Sequence, residues 1–120
     1  MFLYHATPSA NVASIRCSGL LVGKSYGRLS CVWAVRESAL CWAIPHVADH
    51  QGVPVEDLAV VLFDPETQNL IRSGRPGVVR LRQDVPTTSI RCILSVAHVE
   101  LLHMVAHAIA DAGCTSRPAK

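Results

Sequence analysis

Residues 2–20 carry the most consistent local signals in the chain and constrain its fold most strongly. Residues 2–5 form a short β-prone run that ends in a histidine. Thr7 and Pro8 follow as a predicted helix N-cap and first helical residue, because proline has no N–H to lose at that position. Gly19 is a natural left-handed residue just after the helix. These signals agree with one another and predict a buried strand that runs into a capped helix.

The rest of the chain predicts a single α+β domain. Half of its 120 residues are hydrophobic, which is ample for one core. Predicted strands lie at 31–35, 58–63, 77–81 and 90–94, and predicted helices lie at 37–49 and 95–112. Pro45 predicts a kink or an early end in the first of these helices. Residues 65–76 are predicted to form a polar, mostly irregular connection. Because the strands cluster late in the chain, the order favours α+β over a regular βαβ array. We expect the domain to span residues 1–114, with a disordered tail at 115–120.

Composition and charge exclude several classes of protein. The net charge is +2 with histidine neutral, which gives no strong signal for nucleic-acid binding. The sequence contains neither an apolar stretch of membrane-spanning length nor a signal peptide, so we expect a cytoplasmic protein without a membrane partner. The five cysteines are odd in number and lack Cys-x-x-Cys spacing, which disfavours a zinc or redox site.

Three segments together resemble a known enzyme superfamily. The first is Tyr4-His5-Ala6-Thr7 followed by Gly19-Leu20, the second is the run 26–33 that ends in Trp33, and the third is Gly77-Val78-Val79 followed by Val85-Pro86. In order and spacing they are similar to the motifs of the ADP-ribosyltransferase superfamily, and the third is most similar to the tRNA 2′-phosphotransferase branch. The resemblance implies an ADP-ribosyltransferase-like split β-sheet core with peripheral helices.

The resemblance also implies a substrate and a set of site residues. The implied activity is transfer of ADP-ribose from NAD⁺ to a macromolecular acceptor, either protein or nucleic acid, as in small toxins and phage-encoded modifiers. His5 would bind a ribose hydroxyl, Thr7 would support its geometry, and Trp33 would stack on the nicotinamide ring. The residues implied in NAD⁺ binding are His5, Ala6, Thr7, Tyr26, Arg28, Trp33 and Arg80, and those implied in catalysis are His5, Trp33 and Gln83.

The third motif lacks the glutamate that many members of the superfamily use to orient the ribose. Residues 76–83 contain no acidic side chain, so Gln83, Asp84 or Glu56 would have to stand in. Two alternatives therefore stay open. One is a catalytically degenerate domain of the same fold that binds nucleotide, nucleic acid or protein. The other is an NAD⁺-dependent RNA 2′-phosphotransferase, which needs arginines to hold phosphates; the candidates are Arg16, Arg28 and Arg80.

Simpler structural interpretations stand beside these functional ones. His5 is either a ligand-binding side chain or a core histidine bonded to a backbone carbonyl, and Trp33 is either a stacking platform or a core residue. His46 and His50 are spaced four apart on the predicted helix 37–49. A second polar stripe, consisting of Glu100, His103, His107 and Asp111, is either the solvated face of the last helix or a site for a divalent metal.

Overall fold

The computed structural model describes residues 2–24 and 31–96. Two predicted site residues, Tyr26 and Arg28, lie outside the described residues. So do the polar stripe from Glu100 to Asp111, the predicted helix beyond residue 96, and the predicted tail at 115–120. Residue 95, at the start of that predicted helix, belongs to a strand instead.

Within the described residues the chain forms two α-helices and six strands, which confirms the α+β prediction. In chain order they are β1 Leu3–Pro8, α1 Val12–Ser18, β2 Val32–Val35, α2 Leu40–Gln51, β3 Leu58–Phe63, β4 Leu70–Arg72, β5 Val78–Leu81 and β6 Ile90–Ser95. The strands form one sheet in the order β4-β5-β2-β1-β3-β6, and every neighbouring pair is antiparallel.

The sheet carries one helix on each face. Strand β3 lies inside the sheet and is buried at every residue, as its continuous apolar run predicts. Side chains alternate between the two faces along a strand. On one face, Tyr4, Val35 and Val78 pack with α2, and on the other, Leu3 and Val79 pack with Ile15 of α1. The sheet is therefore the middle layer between two apolar clusters.

The junction between β1 and α1 differs from the prediction. Thr7 and Pro8 belong to the strand, and a 3₁₀ turn at 9–11 precedes the helix. The Asn11 side chain does not cap the helix; its Nδ2 donates a hydrogen bond to Thr7 Oγ1 over 2.9 Å. The prediction of a Thr7 cap was wrong because a Thr-Pro pair is also compatible with the end of an extended strand.

Gly19 ends α1 as predicted, but by a different geometry. Its φ is +78° and its ψ is −164°, which lies outside the left-handed helical region. A Cβ at this position would collide with the carbonyl oxygen of Val85. Leu20 then forms an antiparallel bridge with Val85, with hydrogen bonds of 2.9 and 2.8 Å. Glycine is therefore required here by both backbone conformation and close approach.

Two further expectations concern the second half of the chain. Helix α2 continues through Pro45 to Gln51, so the early end does not occur, and Gly52 follows the helix in the left-handed conformation. The connection 65–76 is mostly irregular as predicted, but it contains the three-residue strand β4, which pairs with β5 at the edge of the sheet.

Candidate functional site

The sheet opens between β1 and β2. These two strands pair at a single register position, Tyr4 with Val35. Apart from this position, β1 pairs with β3 along its whole length and β2 pairs with β5. The imidazole of His5 spans the opening, with its Nδ1 2.7 Å from the carbonyl oxygen of Trp33. The His5 side chain therefore makes a hydrogen bond between β1 and β2 where backbone hydrogen bonds between these strands are lacking.

A cavity of about 830 Å³ occupies this opening. Its size lies within the range of small-molecule sites. The chemically distinctive residues that line it are His5, Thr7, Asn11, Lys24, Trp33, Trp42, His46, His50 and Arg75. It reaches both faces of the sheet, since Ile15 and Leu20 of the α1 face and Val35 and Ala43 of the α2 face also line it.

Two of the predicted site residues meet at the opening from opposite faces. Strand alternation places His5 on the face of Leu3, which packs with α1, and Trp33 on the face of Val35, which packs with α2. The hydrogen bond from His5 ends on the backbone of Trp33 itself. A ligand that touches both rings must therefore lie across the opening rather than on one face of the sheet.

The hydrogen bond to Trp33 fixes the tautomer of His5. A carbonyl oxygen only accepts, so Nδ1 carries the proton. Burial lowers the pKa of this half-buried imidazole below its ordinary value of 6.5, and the bond to the Trp33 carbonyl partly opposes that shift. At neutral pH the ring is therefore uncharged with a bare Nε2. In the part of the chain that the structure describes, Nε2 has no hydrogen-bond partner, so it is free to accept one from a ligand hydroxyl.

Trp33 is an exposed aromatic ring rather than a core residue. Its exposed fraction is 38%, and Val55 is the one other large hydrophobic side chain exposed among the described residues. The guanidinium of Arg80, on the neighbouring strand β5, lies 5.7 Å from the ring centroid. Arg80 does not line the cavity itself. Arg80 is therefore a cation–π partner of the Trp33 ring and is not in position to contact a ligand in the cavity.

Ala6 and Thr7 also line the cavity, as expected from the first motif. Thr7 is only 5% exposed, and its Oγ1 accepts the hydrogen bond from Asn11. This bond ties the end of β1 to the turn before α1. The role predicted for Thr7 in supporting ribose binding by His5 stays a prediction.

The structure does not bring the predicted substitutes for glutamate to the cavity. Gln83 is exposed in the bend after β5, and Glu56 is exposed just before β3. Asp84 has a structural contact instead, because its Oδ1 accepts the backbone N–H of Val22 over 2.8 Å. Arg16, proposed for phosphate binding, lies at a separate small pocket beside β6.

A row of planar side chains on α2 lines the cavity. The sequence indicated the spacing of His46 and His50, but their stacking with Trp42 was not predicted. The Trp42 and His46 rings stack with centroids 4.4 Å apart, and His46 and His50 follow at 5.9 Å, with interplanar angles of 21° in both pairs. The guanidinium of Arg75 lies 4.2 Å from the Trp42 centroid. The spacing of four between Trp42, His46 and His50 could have revealed the helical part of the row. The partner from residue 75 could not be found from local sequence.

The cavity is cationic. Among its described lining residues, Lys24 and Arg75 are the only permanently charged side chains, and no carboxylate is present. Burial raises the pKa of Tyr4 to about 12, with Glu37 and Cys92 adding to the effect. Burial also raises the pKa of the Cys31 thiol, although Arg80 opposes the shift. Neither group is ionised at neutral pH, so the lining suits an anionic ligand and offers no thiolate nucleophile.

Other site classes find no support in the described part of the chain. Residues 2–24 and 31–96 contain no cluster of three or more side chains suited to hold a metal ion. None of the helices within them has both the length and the apolar character needed to span a bilayer. Comparison of the chain with protein-family models and with curated proteins finds no match.

Proposed function

We propose that the opening between β1 and β2 binds NAD⁺ and that the domain transfers ADP-ribose to a macromolecular acceptor. The observation that carries this proposal is the pairing of His5 and Trp33. The bare Nε2 of one ring and the exposed indole of the other meet at a cavity large enough for a nucleotide. A nucleotide that lies across the opening places a ribose hydroxyl at one of these rings and the attached aromatic base on the other.

In this arrangement each lining group has a distinct role in binding. The indole of Trp33 offers a flat face for the nicotinamide ring, with Arg80 behind it. Nε2 of His5 accepts a hydrogen bond from a hydroxyl of the adjoining ribose. Lys24 and Arg75 supply the positive charge that a diphosphate requires. Because Nδ1 is already held by the Trp33 carbonyl, the His5 ring needs no reorganisation when ligand binds.

The chemistry breaks the bond between ribose C1′ and nicotinamide N1. The nicotinamide leaves with the electron pair and becomes neutral, and a nucleophile on the acceptor forms the new bond to C1′ and releases a proton. The described residues contribute orientation of the ribose and stacking of the leaving group. Because no carboxylate lines the described cavity, they do not supply a charge partner for the oxocarbenium-like transition state.

A second candidate function follows from that same cationic lining. An NAD⁺-dependent 2′-phosphotransferase must hold an RNA 2′-phosphate close to the diphosphate of NAD⁺. Positive side chains without a competing carboxylate are suited to this task. In such a reaction the phosphate oxygen of the RNA would attack C1′ as nicotinamide leaves.

The binding step is tested first, by calorimetry with NAD⁺ on the intact chain. We expect Trp33→Ala to weaken binding by about tenfold or more, since stacking on an aromatic side chain is worth about 1–3 kcal/mol. His5→Ala should weaken binding by about fivefold, since one hydrogen bond contributes about 1 kcal/mol. Gln83→Ala, whose side chain lies away from the cavity, is the matched control and should bind like the parent protein. If the parent protein shows no binding at millimolar NAD⁺, the proposal fails.

Labelled NAD⁺ then separates the two reactions. In a cell lysate, label that moves to a macromolecule with the parent protein but not with His5→Ala supports ADP-ribosyl transfer. Transfer of the 2′-phosphate from a 2′-phosphorylated oligonucleotide to ADP-ribose, with loss of NAD⁺, favours the second candidate. NAD⁺ binding without either reaction would leave a binding domain of the same fold.

A further inference from the structure

Arg80 and Trp33 are direct cross-strand partners, in register between β5 and β2. Residues paired in this way carry their side chains on the same face of a sheet, and the Arg80 guanidinium lies 5.7 Å from the centroid of the Trp33 ring. Trp33 lines the cavity, whereas Arg80 does not. One face of the indole is therefore turned toward the cation, and the opposite face is the one that a ligand in the cavity can reach.

The positive charge of Arg80 is not neutralised by an ion pair. No carboxylate within residues 2–24 and 31–96 forms a salt bridge with it. Burial raises the pKa of the Cys31 thiol and Arg80 opposes that shift, so the charge of Arg80 acts on a residue that lines the cavity. A planar ring stacked on the cavity face of Trp33 would lie about 9 Å from the guanidinium, since the two rings would be in van der Waals contact.

We infer that Arg80 is a positioning residue that acts through Trp33 to disfavour a positively charged ring on the cavity face of the indole and to favour a neutral one. The inference rests on the proposed function, because nicotinamide changes charge in this way as it leaves. When the C1′–N1 bond breaks, its electron pair moves to the ring nitrogen, and the positive charge passes to the ribose beside His5. The acceptor nucleophile then bonds to C1′ and releases a proton. Positive charge thereby moves away from Arg80, so a repulsion present in bound NAD⁺ is relieved as the bond breaks.

The test compares NAD⁺ with NADH by calorimetry on the intact chain, because the two carry the same adenosine and diphosphate and differ by one charge in the nicotinamide ring. We expect Arg80→Gln to raise the affinity for NAD⁺ relative to NADH by about fivefold, the size expected between charges about 9 Å apart when solvent partly screens them. Arg80→Lys keeps the charge and should retain the parent ratio. Arg72→Gln is the matched control, since it removes the same charge from an exposed residue opposite Val79, on the other face of the sheet.

The rate of nicotinamide release gives a second readout, which a merely structural role would not change in the same way. Arg80→Gln should lower both KM for NAD⁺ and the maximal rate, the pattern produced when a repulsion in the bound substrate is removed. The same ratio shift in Arg72→Gln would overturn the inference, and so would a parent protein that binds NAD⁺ but not NADH. An unchanged ratio or an unchanged rate in Arg80→Gln defeats only this inference. No binding of NAD⁺ by the parent protein, or binding without nicotinamide release, defeats the proposed function and this inference with it.

Discussion

Burial lowers the pKa of His5, while the Trp33 carbonyl oxygen opposes that shift by accepting its Nδ1 proton. The structure confirms the bond to a backbone carbonyl, and the ligand-binding interpretation stays a prediction. The ring is bonded to a backbone carbonyl, as in a core histidine, yet it also lines a cavity with its second nitrogen bare. A residue type alone cannot distinguish these states, because they depend on which strand lies opposite.

The lowered pKa predicts how stability changes with pH. The unfolded chain binds a proton at His5 near the ordinary value of 6.5, whereas the folded chain does so only at lower pH. Folding therefore loses stability as pH falls below that value, and the contribution is complete above it. Urea unfolding at pH 7.5 and 5.0 should show a larger loss for the parent protein than for His5→Gln. The five other histidines are common to both proteins and cancel in the comparison. An equal loss in both proteins would contradict this assignment.

Gly19 gives a second prediction at this scale. Gly19→Ala places a Cβ against the Val85 carbonyl oxygen and also forces alanine to adopt a φ of +78°. We expect the free energy of unfolding to fall by about 2–4 kcal/mol, because the Leu20–Val85 bridge must separate. Gly23→Ala is the control, since a Cβ there meets nothing within 4 Å and should leave stability nearly unchanged. Chemical denaturation measures both variants, and similar values for the two would refute the explanation.

Among the secondary-structure elements, those with strong periodic or apolar patterns were predictable and those set by distant partners were not. The run at 58–63 and the helix that ends at Gly52 could be predicted because each depends mainly on its own residues. Strand β4 was missed because it has only three residues, and pairing with β5 defines it. The Trp42–Arg75 contact was missed for the same reason, as it joins residues that are far apart in the chain.

Helix α2 retains an unfavourable residue that can be tested directly. Pro45 lies in the helix interior, where it cannot donate to the carbonyl of Cys41. Pro45→Ala restores that donor at an exposed position and should raise the free energy of unfolding by about 1 kcal/mol or more. Pro54→Ala, outside any α-helix, should instead lower stability slightly because it frees the unfolded chain. Opposite signs in urea titrations are the expected result, and a loss of stability in Pro45→Ala would contradict it.

At the scale of the whole molecule, the site exists because two antiparallel halves of one sheet are joined at a single residue pair. The apolar clusters on both faces hold the halves together, so the opening does not require disorder in the core. Sequence motifs located both edges of this opening, through His5 and Trp33. The cations at its rim could not be predicted from the sequence, because Lys24 and Arg75 belong to a turn and a loop without a distinctive sequence pattern.

If the proposed function holds, the charge of the cavity predicts which part of NAD⁺ contributes most to binding. ADP-ribose carries the diphosphate that Lys24 and Arg75 attract, whereas nicotinamide riboside carries a positive charge that they repel. We expect ADP-ribose to bind more tightly than nicotinamide riboside, and its affinity to fall as salt rises from 50 to 500 mM. Lys24→Gln should weaken ADP-ribose binding a few-fold, while Arg82→Gln, an exposed charge that does not line the cavity, should not. Tighter binding of nicotinamide riboside in the same calorimetric titrations would mean that ring stacking on Trp33, and not the cationic rim, dominates recognition.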